Sequence, residues 1–128
     1  MTNTRLTDVE ILESRYPQLM IESFSVNNNN TDDEEEDDEF RGGRGVTRIY
    51  RFRQDLTFSI LSERRVFQPQ GCRGGRPGTR GRNTWLRGKG SGGARVSVSL
   101  GSKATIQGRA GDLVEIVTPG GAGYKTKR

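Results

Sequence analysis

All 18 glycines of this 128-residue chain lie beyond position 40, and the charge reverses at the same point. Residues 1–40 carry 2 basic and 12 acidic side chains, whereas residues 41–128 carry 19 basic and 4 acidic ones. So abrupt a break marks a boundary, and the length allows one domain at most. Leu, Ile, Val and Phe together number 27. That is close to the level of about 20% below which charged chains tend to stay disordered, so any core is small.

The boundary is itself a charge run. Eight consecutive carboxylates, Asp32 to Glu39, follow Asn27–Thr31 and precede Phe40. Like charges at this density repel, and no apolar residue offsets the entropy of ordering them. The reading is a solvated, disordered insert over 27–40. A functional reading stays open: weak cation binding, or an electrostatic cover over the neighbouring arginines. The spacing matches no calcium loop, which needs alternate ligands and a central Gly. Four segments follow: 1–26, the acidic insert 27–40, a β-rich region 41–124, and a basic tail 125–128.

Residue types exclude several chemistries. The chain has no His, so no imidazole is available to activate a Ser or Cys nucleophile. A single Cys72 builds neither the usual Cys/His zinc set nor an internal disulfide. No apolar run approaches the ~20 residues that cross a bilayer, and the N-terminus lacks a signal-peptide stretch. The expected location is cytoplasmic.

Periodicity predicts one helix and then strands. Thr7 and Glu10 are spaced as a capping box, Val9, Leu12 and Tyr16 follow at helical spacing, and Pro17 ends the helix. Leu19–Val26 is extended, with Leu19, Ile21 and Phe24 apolar. Val46–Phe52, Leu56–Ser62, Arg95–Leu100, Lys103–Ile106 and Leu113–Val117 read as strands, with Val96, Val98 and Leu100 inward. Gly101-Ser102 and Ala110–Asp112 are turns. The fold class is mainly β, antiparallel, with one short N-terminal helix, as an incomplete piece of a larger domain. Between the strands, 9 of the 23 residues from 71 to 93 are Gly. That stretch is either an irregular packed loop or a flexible Arg/Gly arm.

The arm reading makes the chain a nucleic-acid binder. Residues 41–90 hold 13 basic residues against Asp55 and Glu63. Arg41-Gly-Gly43 and Arg73-Gly-Gly75 resemble RNA-binding repeats, and Trp85, Tyr50 and Phe52 are available for stacking. Only two such units occur, and strand patterning lies on both sides. Pro119–Tyr124 offers amides to a phosphate, yet no helix N-terminus or P-loop spacing accompanies it, and a tight terminal turn is the simpler reading. Asp112 reads as a turn residue and Glu63 as the partner of a nearby arginine. No carboxylate pair is set up for acid–base work, and Cys72, without a base, has no assigned role.

Five pieces, in order, resemble the C-terminal region of the hydantoinase B/5-oxoprolinase family. They are Met1–Glu13 with Arg15-Tyr-Pro17; Arg41-Gly-Gly-Arg-Gly-Val-Thr-Arg48; Leu61-Ser-Glu-Arg-Arg-Val-Phe67; Gly74-Gly-Arg-Pro-Gly-Thr-Arg-Gly-Arg-Asn83; and a closing stretch. The last comprises Leu100–Thr105, Ala110–Asp112 and Thr118-Pro-Gly-Gly-Ala-Gly-Tyr124. The acidic run stands where the family has a Gly-rich connection, and Ala122 replaces a Gly. The resemblance implies an ATP-dependent hydrolase that opens 5-oxoproline to glutamate, or opens hydantoin rings; related assemblies carboxylate ketones. ATP and a divalent metal are implied for the complete enzyme and none for this chain, with a hydantoinase A-type ATP-binding domain or subunit as partner and a small cyclic amide as substrate. The implied site residues are Asn3, Thr4 and Arg5 at the edge of the site, then Arg64, Gly74, Gly75, Pro77 and Gly78 shaping an interface. The expectation is a C-terminal fragment that is inactive alone, with nucleic-acid binding as the alternative.

Overall fold

Leu19, Ile21 and Phe24 are spaced two and then three apart, so a regular strand cannot place all three on one face. The computed structural model, which describes residues 8–27, 40–88 and 95–125, resolves this with a bulge. Strand β1 (Leu19–Val26) pairs antiparallel with β2 (Val46–Phe52), and the register shifts between Ile21 and Ser23. The extra residue, Glu22, lets Ile21 oppose Tyr50 and Phe24 oppose Arg48 on the same face. Glu22 then receives both Nε and Nη2 of Arg51, at 2.7 and 2.6 Å.

Helix α1 (Val9–Arg15) precedes β1. Its N-cap is Asp8, whose Oδ1 accepts the Glu10 N–H at 2.9 Å. Thr7 of the expected capping box lies outside the described residues. Asp8 takes the cap because its carboxylate reaches the second helical amide directly. The helix buries no residue completely. Glu13 anchors it by accepting the Ile21 N–H at 2.6 Å, beside the bulge.

The remaining strands are β3 (Leu56–Leu61), β4 (Arg82–Arg87), β5 (Val96–Ser99), β6 (Lys103–Gly108) and β7 (Leu113–Val117). A five-stranded antiparallel sheet has the order β1-β2-β7-β4-β5, and β3 pairs with β6 in a separate ribbon. Segments 46–61 and 103–117 therefore pair twice, bending between the pairings. The bends are tied together: Phe52 N–H bonds the Asp112 carbonyl at 2.9 Å, Gly111 N–H the Phe52 carbonyl at 2.8 Å, and Ala110 N–H the Asp55 carboxylate at 2.9 Å.

The fold turns the apolar side of the ribbon onto the sheet. Phe52, Leu100, Ile106 and Val114 are buried, with Leu56, Phe58, Ile60, Trp85 and Ile116 packed around them. Phe52 is fully buried, a burial worth about 1.5–3 kcal/mol.

Two sequence expectations are corrected. Residues 71–93 are neither loop nor arm throughout, because β4 runs through them and pairs with β7 on one side and β5 on the other. Its arginines at both ends hide a strand whose Asn83 and Trp85 point to the core side. Val96 is not inward: it opposes Arg87 at the end of the edge strand and remains 58% exposed.

Gly108 closes the fold over Phe52, since a Cβ at this position would fall against the Phe52 ring. Gly108→Ala is expected to cost about 1–3 kcal/mol by overpacking, read as a lower urea midpoint.

Candidate functional site

Three glycine-containing segments, far apart in sequence, meet at one end of the sheet. The strap from Thr118 to Tyr124 runs between residues 40–46 on one side and 71–79 on the other. Phe40 and Tyr124 exchange backbone bonds of 3.1 and 2.8 Å, Gly121 N–H bonds the Gly43 carbonyl at 2.7 Å, and Thr118 N–H the Val46 carbonyl at 2.8 Å. On the opposite side Cys72 N–H bonds the Gly123 carbonyl at 3.0 Å, Gly123 N–H the Arg76 carbonyl at 2.8 Å, and Gly120 N–H the Thr79 hydroxyl at 2.9 Å. These bonds require backbones in direct contact. A Cβ on Gly42 would meet Gly121, one on Gly75 would meet Gly123, and one on Gly78 would meet Gly120. The close approach explains why these positions carry no side chain.

The strap is thus not a tight terminal turn. Nor is it an anion cradle, because the amides of Thr118, Gly120, Gly121, Gly123 and Tyr124 are all spent on protein oxygens.

Asn83 is the second element. It is 2% exposed, and its amide is used on both sides. Nδ2 donates to the Ser62 hydroxyl and the Gly101 carbonyl, both at 2.8 Å, while Oδ1 accepts Nη2 of Arg65 at 2.9 Å. Its backbone carbonyl accepts the Leu100 N–H at 3.0 Å. Asn83 therefore joins the Ser62-Glu-Arg-Arg65 turn to the Leu100–Ser102 turn. Arg65 Nη1 is held by the Glu63 carbonyl at 2.6 Å, so the contact expected of Glu63 runs through its backbone. Burial pulls the Arg65 guanidinium below its ordinary pKa.

This arrangement turns the 61–67 loop inside out. Arg65 faces inward, while Leu61, Val66 and Phe67 stand 78%, 64% and 75% exposed. Arg64 adopts φ 60°, a left-handed conformation costing a non-Gly residue roughly 1–3 kcal/mol. Its carbonyl is fixed by Gly81 N–H at 3.0 Å.

Of the sequence-predicted site residues, Gly75 and Gly78 lie in the glycine junction, and Gly74 (φ 87°) forms the turn beside it. Pro77 is exposed between them, and Arg64 is tied to the same segment through Gly81. Asn3, Thr4 and Arg5 lie outside the described residues, as does the acidic run Asp32–Glu39. Sequence reasoning missed the pairing of Ser62 and Arg65 with Asn83. The available signal was that the Ser-Glu-Arg and Gly-to-Asn pieces each carry buried-type polar residues, yet spacing alone does not join them.

Asp112 is more than a turn residue. It is 3% exposed and accepts Trp85 Nε1 at 3.0 Å, Gly88 N–H at 2.6 Å and Arg109 N–H at 3.0 Å. Burial pushes its carboxyl up, but these N–H bonds and the positive field of Arg87 outweigh burial and hold it below its ordinary value.

Among the described residues, no group of three or more His, Cys, Asp or Glu is placed to hold a metal ion. No helix is long and apolar enough to cross a membrane.

Residues 1–127 match the family described as Hydantoinase B/oxoprolinase. A 5-oxoprolinase of Dictyostelium discoideum is 42% identical over 127 residues, which are 99% of this chain and 9% of that protein. A 5-oxoprolinase of Saccharomyces cerevisiae is 47% identical over 115 residues, 90% of this chain and 8% of that protein. An uncharacterized protein of Schizosaccharomyces pombe is 43% identical over 127 residues, again 9% of its length. The chain thus spans less than a tenth of these curated relatives. No solved structure matches it.

Two outcomes follow from the geometry. Gly42→Ala and Gly78→Ala should each cost about 1–3 kcal/mol by forcing backbones apart, while Gly43→Ala, with open space around its Cβ, should be neutral in the same urea titration. Because Asp112 is depressed in the folded state, its contribution is present above the unfolded carboxyl pKa and is lost as pH falls through the lower folded one. Asp112→Asn should therefore be less stable than the parent at neutral pH by about 1–3 kcal/mol. The gap should narrow below about pH 4, as followed by melting temperature against pH.

Proposed function

The chain belongs to the Hydantoinase B/oxoprolinase family, and from that premise we propose that it is a C-terminal segment of a 5-oxoprolinase-type hydrolase. The reaction is the ATP-dependent opening of the 5-oxoproline lactam to glutamate, or of a related hydantoin ring. The observation that carries this reading is 42% identity to a 5-oxoprolinase running through 99% of the chain.

A lactam amide is a poor electrophile, and phosphorylating its oxygen makes the carbon open to attack. Among the described residues no group of three or more His, Cys, Asp or Glu is placed to hold a metal ion, and the amides of Thr118, Gly120, Gly121, Gly123 and Tyr124 bond to protein oxygens. ATP and metal belong to the hydantoinase A-type partner, as domain or subunit, and the chain by itself is inactive.

Its own residues act as a rigid contact surface. The glycine junction fixes the segment bearing Gly74, Gly75, Pro77 and Gly78, and Asn83 fixes the loop bearing Arg64. Asn3, Thr4 and Arg5, outside the described residues, are the positions that the family resemblance assigns to the edge of the substrate site. Leu61, Val66 and Phe67 are exposed apolar side chains that the rest of the enzyme covers. The packed Arg73–Gly78 stretch argues against a flexible nucleic-acid arm.

Exchanging the matching segment of the yeast 5-oxoprolinase for this chain tests the reading. The chimera should retain ATP-dependent release of glutamate from 5-oxoproline, and the isolated chain should show none. Phe67→Asp should lower the chimera's activity without lowering the melting temperature of the isolated chain. A well-folded but inactive chimera would refute the assignment.

A further inference from the structure

Beside Trp85 lies an open cavity of about 410 Å³, lined by Trp85, Arg87, Val96, Gln107, Arg109 and Asp112 together with Gly88 and Ala110. Its volume is at the small end of the range in which ligand sites fall, roughly 300–1,000 Å³. Its hydrogen-bonding groups are unbalanced. The carboxylate of Asp112 is turned onto Trp85 Nε1, Gly88 N–H and Arg109 N–H. The Ala110 amide is spent on Asp55. Gln107 Oε1 accepts the Thr57 hydroxyl at 2.8 Å, which leaves the Gln107 amide nitrogen as the end free to donate.

Arg87 and Arg109 complete the lining. Arg87 lies over the Trp85 ring at 4.8 Å from its centroid, and Arg109 lines both this cavity and a smaller one beside Asp55. Among the described residues neither Arg87 nor Arg109 forms an ion pair. The cavity therefore offers donors from three side chains, while the acceptor that lines it is already engaged. Trp85 and Val96 supply an apolar wall next to these donors.

We infer that this cavity is a binding site for a small organic carboxylate with a flat, compact body. The anion sits between Arg87 and Arg109 with the Gln107 amide, and the body lies along Trp85 and Val96. A guanidinium matches a carboxylate with two parallel N–H bonds. The inference stands on the cavity's own chemistry and does not need the hydrolase reading.

Trp85 is the sole tryptophan, so the full-length chain gives one indole N–H resonance, reporting from the cavity itself. Titration with benzoate should move that resonance saturably, whereas benzamide, of the same shape without the charge, should not. Arg109→Gln and Arg87→Gln, both at exposed positions, should each weaken benzoate by about tenfold or more and leave the other resonances in place. Inorganic phosphate should bind more weakly than benzoate. Equal responses to benzoate and benzamide, no response into the millimolar range, undiminished binding by both variants, or tighter binding of phosphate would each overturn the assignment.

Discussion

Three backbones in van der Waals contact at the sheet end are the constraint on which the rest of the molecule depends. Gly42, Gly75 and Gly78 let residues 40–46 and 71–79 press directly onto the 118–124 strap. Only at that separation can the strap bond to both neighbours at 2.7–3.1 Å. The junction anchors the chain just before β4, which enters the sheet immediately after Gly81. It also anchors the strap that continues β7. The register of β4 against β7 is thus set from one end largely by backbone contacts, with the Thr79 hydroxyl accepting the Gly120 N–H beside them. The positions where the family pattern is densest in glycine are where these backbones touch.

Polar bonding supplements a small core. Among the described residues, four buried apolar ones give limited hydrophobic stabilisation, and two buried polar side chains tie the surrounding turns together. Asn83 uses its amide oxygen and nitrogen on three partners, and Asp112 accepts three N–H donors. Each bond to a charged group contributes roughly 1.5–3 kcal/mol, and each buried group left unpaired costs a comparable amount. The two side chains lie on β4 and at the start of β7, which are neighbours in the sheet. The turns they hold, 62–65, 100–102 and 109–112, carry much of the family resemblance. The same architecture leaves apolar residues outside: the loop that buries Arg65 exposes Leu61, Val66 and Phe67. Apolar side chains left so exposed are costly for an isolated domain.

Much of the architecture was legible in the chain. The strands read at Val46–Phe52, from its β-branched and aromatic content, and at Leu113–Val117 coincide with β2 and β7 at both ends. The β4 strand was hidden because Arg82 and Arg87 bracket it and glycines crowd its approaches, so local composition speaks for a loop. Its sheet position comes from pairing with residues about thirty positions away, which no local window contains. Asp112 was placed in a turn by its neighbours, but its burial depends on Trp85 and Gly88 arriving from β4.

The order of residues by itself determined every element type except that of β4, together with the break at position 40, the exclusion of imidazole chemistry and the family pattern. These rest on local preferences and residue identity, which act over a few positions of chain. Tertiary structure alone decided that the glycines serve contact between backbones, that Asn83 joins two turns, and that Arg87 and Arg109 border one cavity. Those outcomes depend on which distant segments become neighbours. Long-range antiparallel pairing fixes that choice through shared hydrogen bonds and a common core.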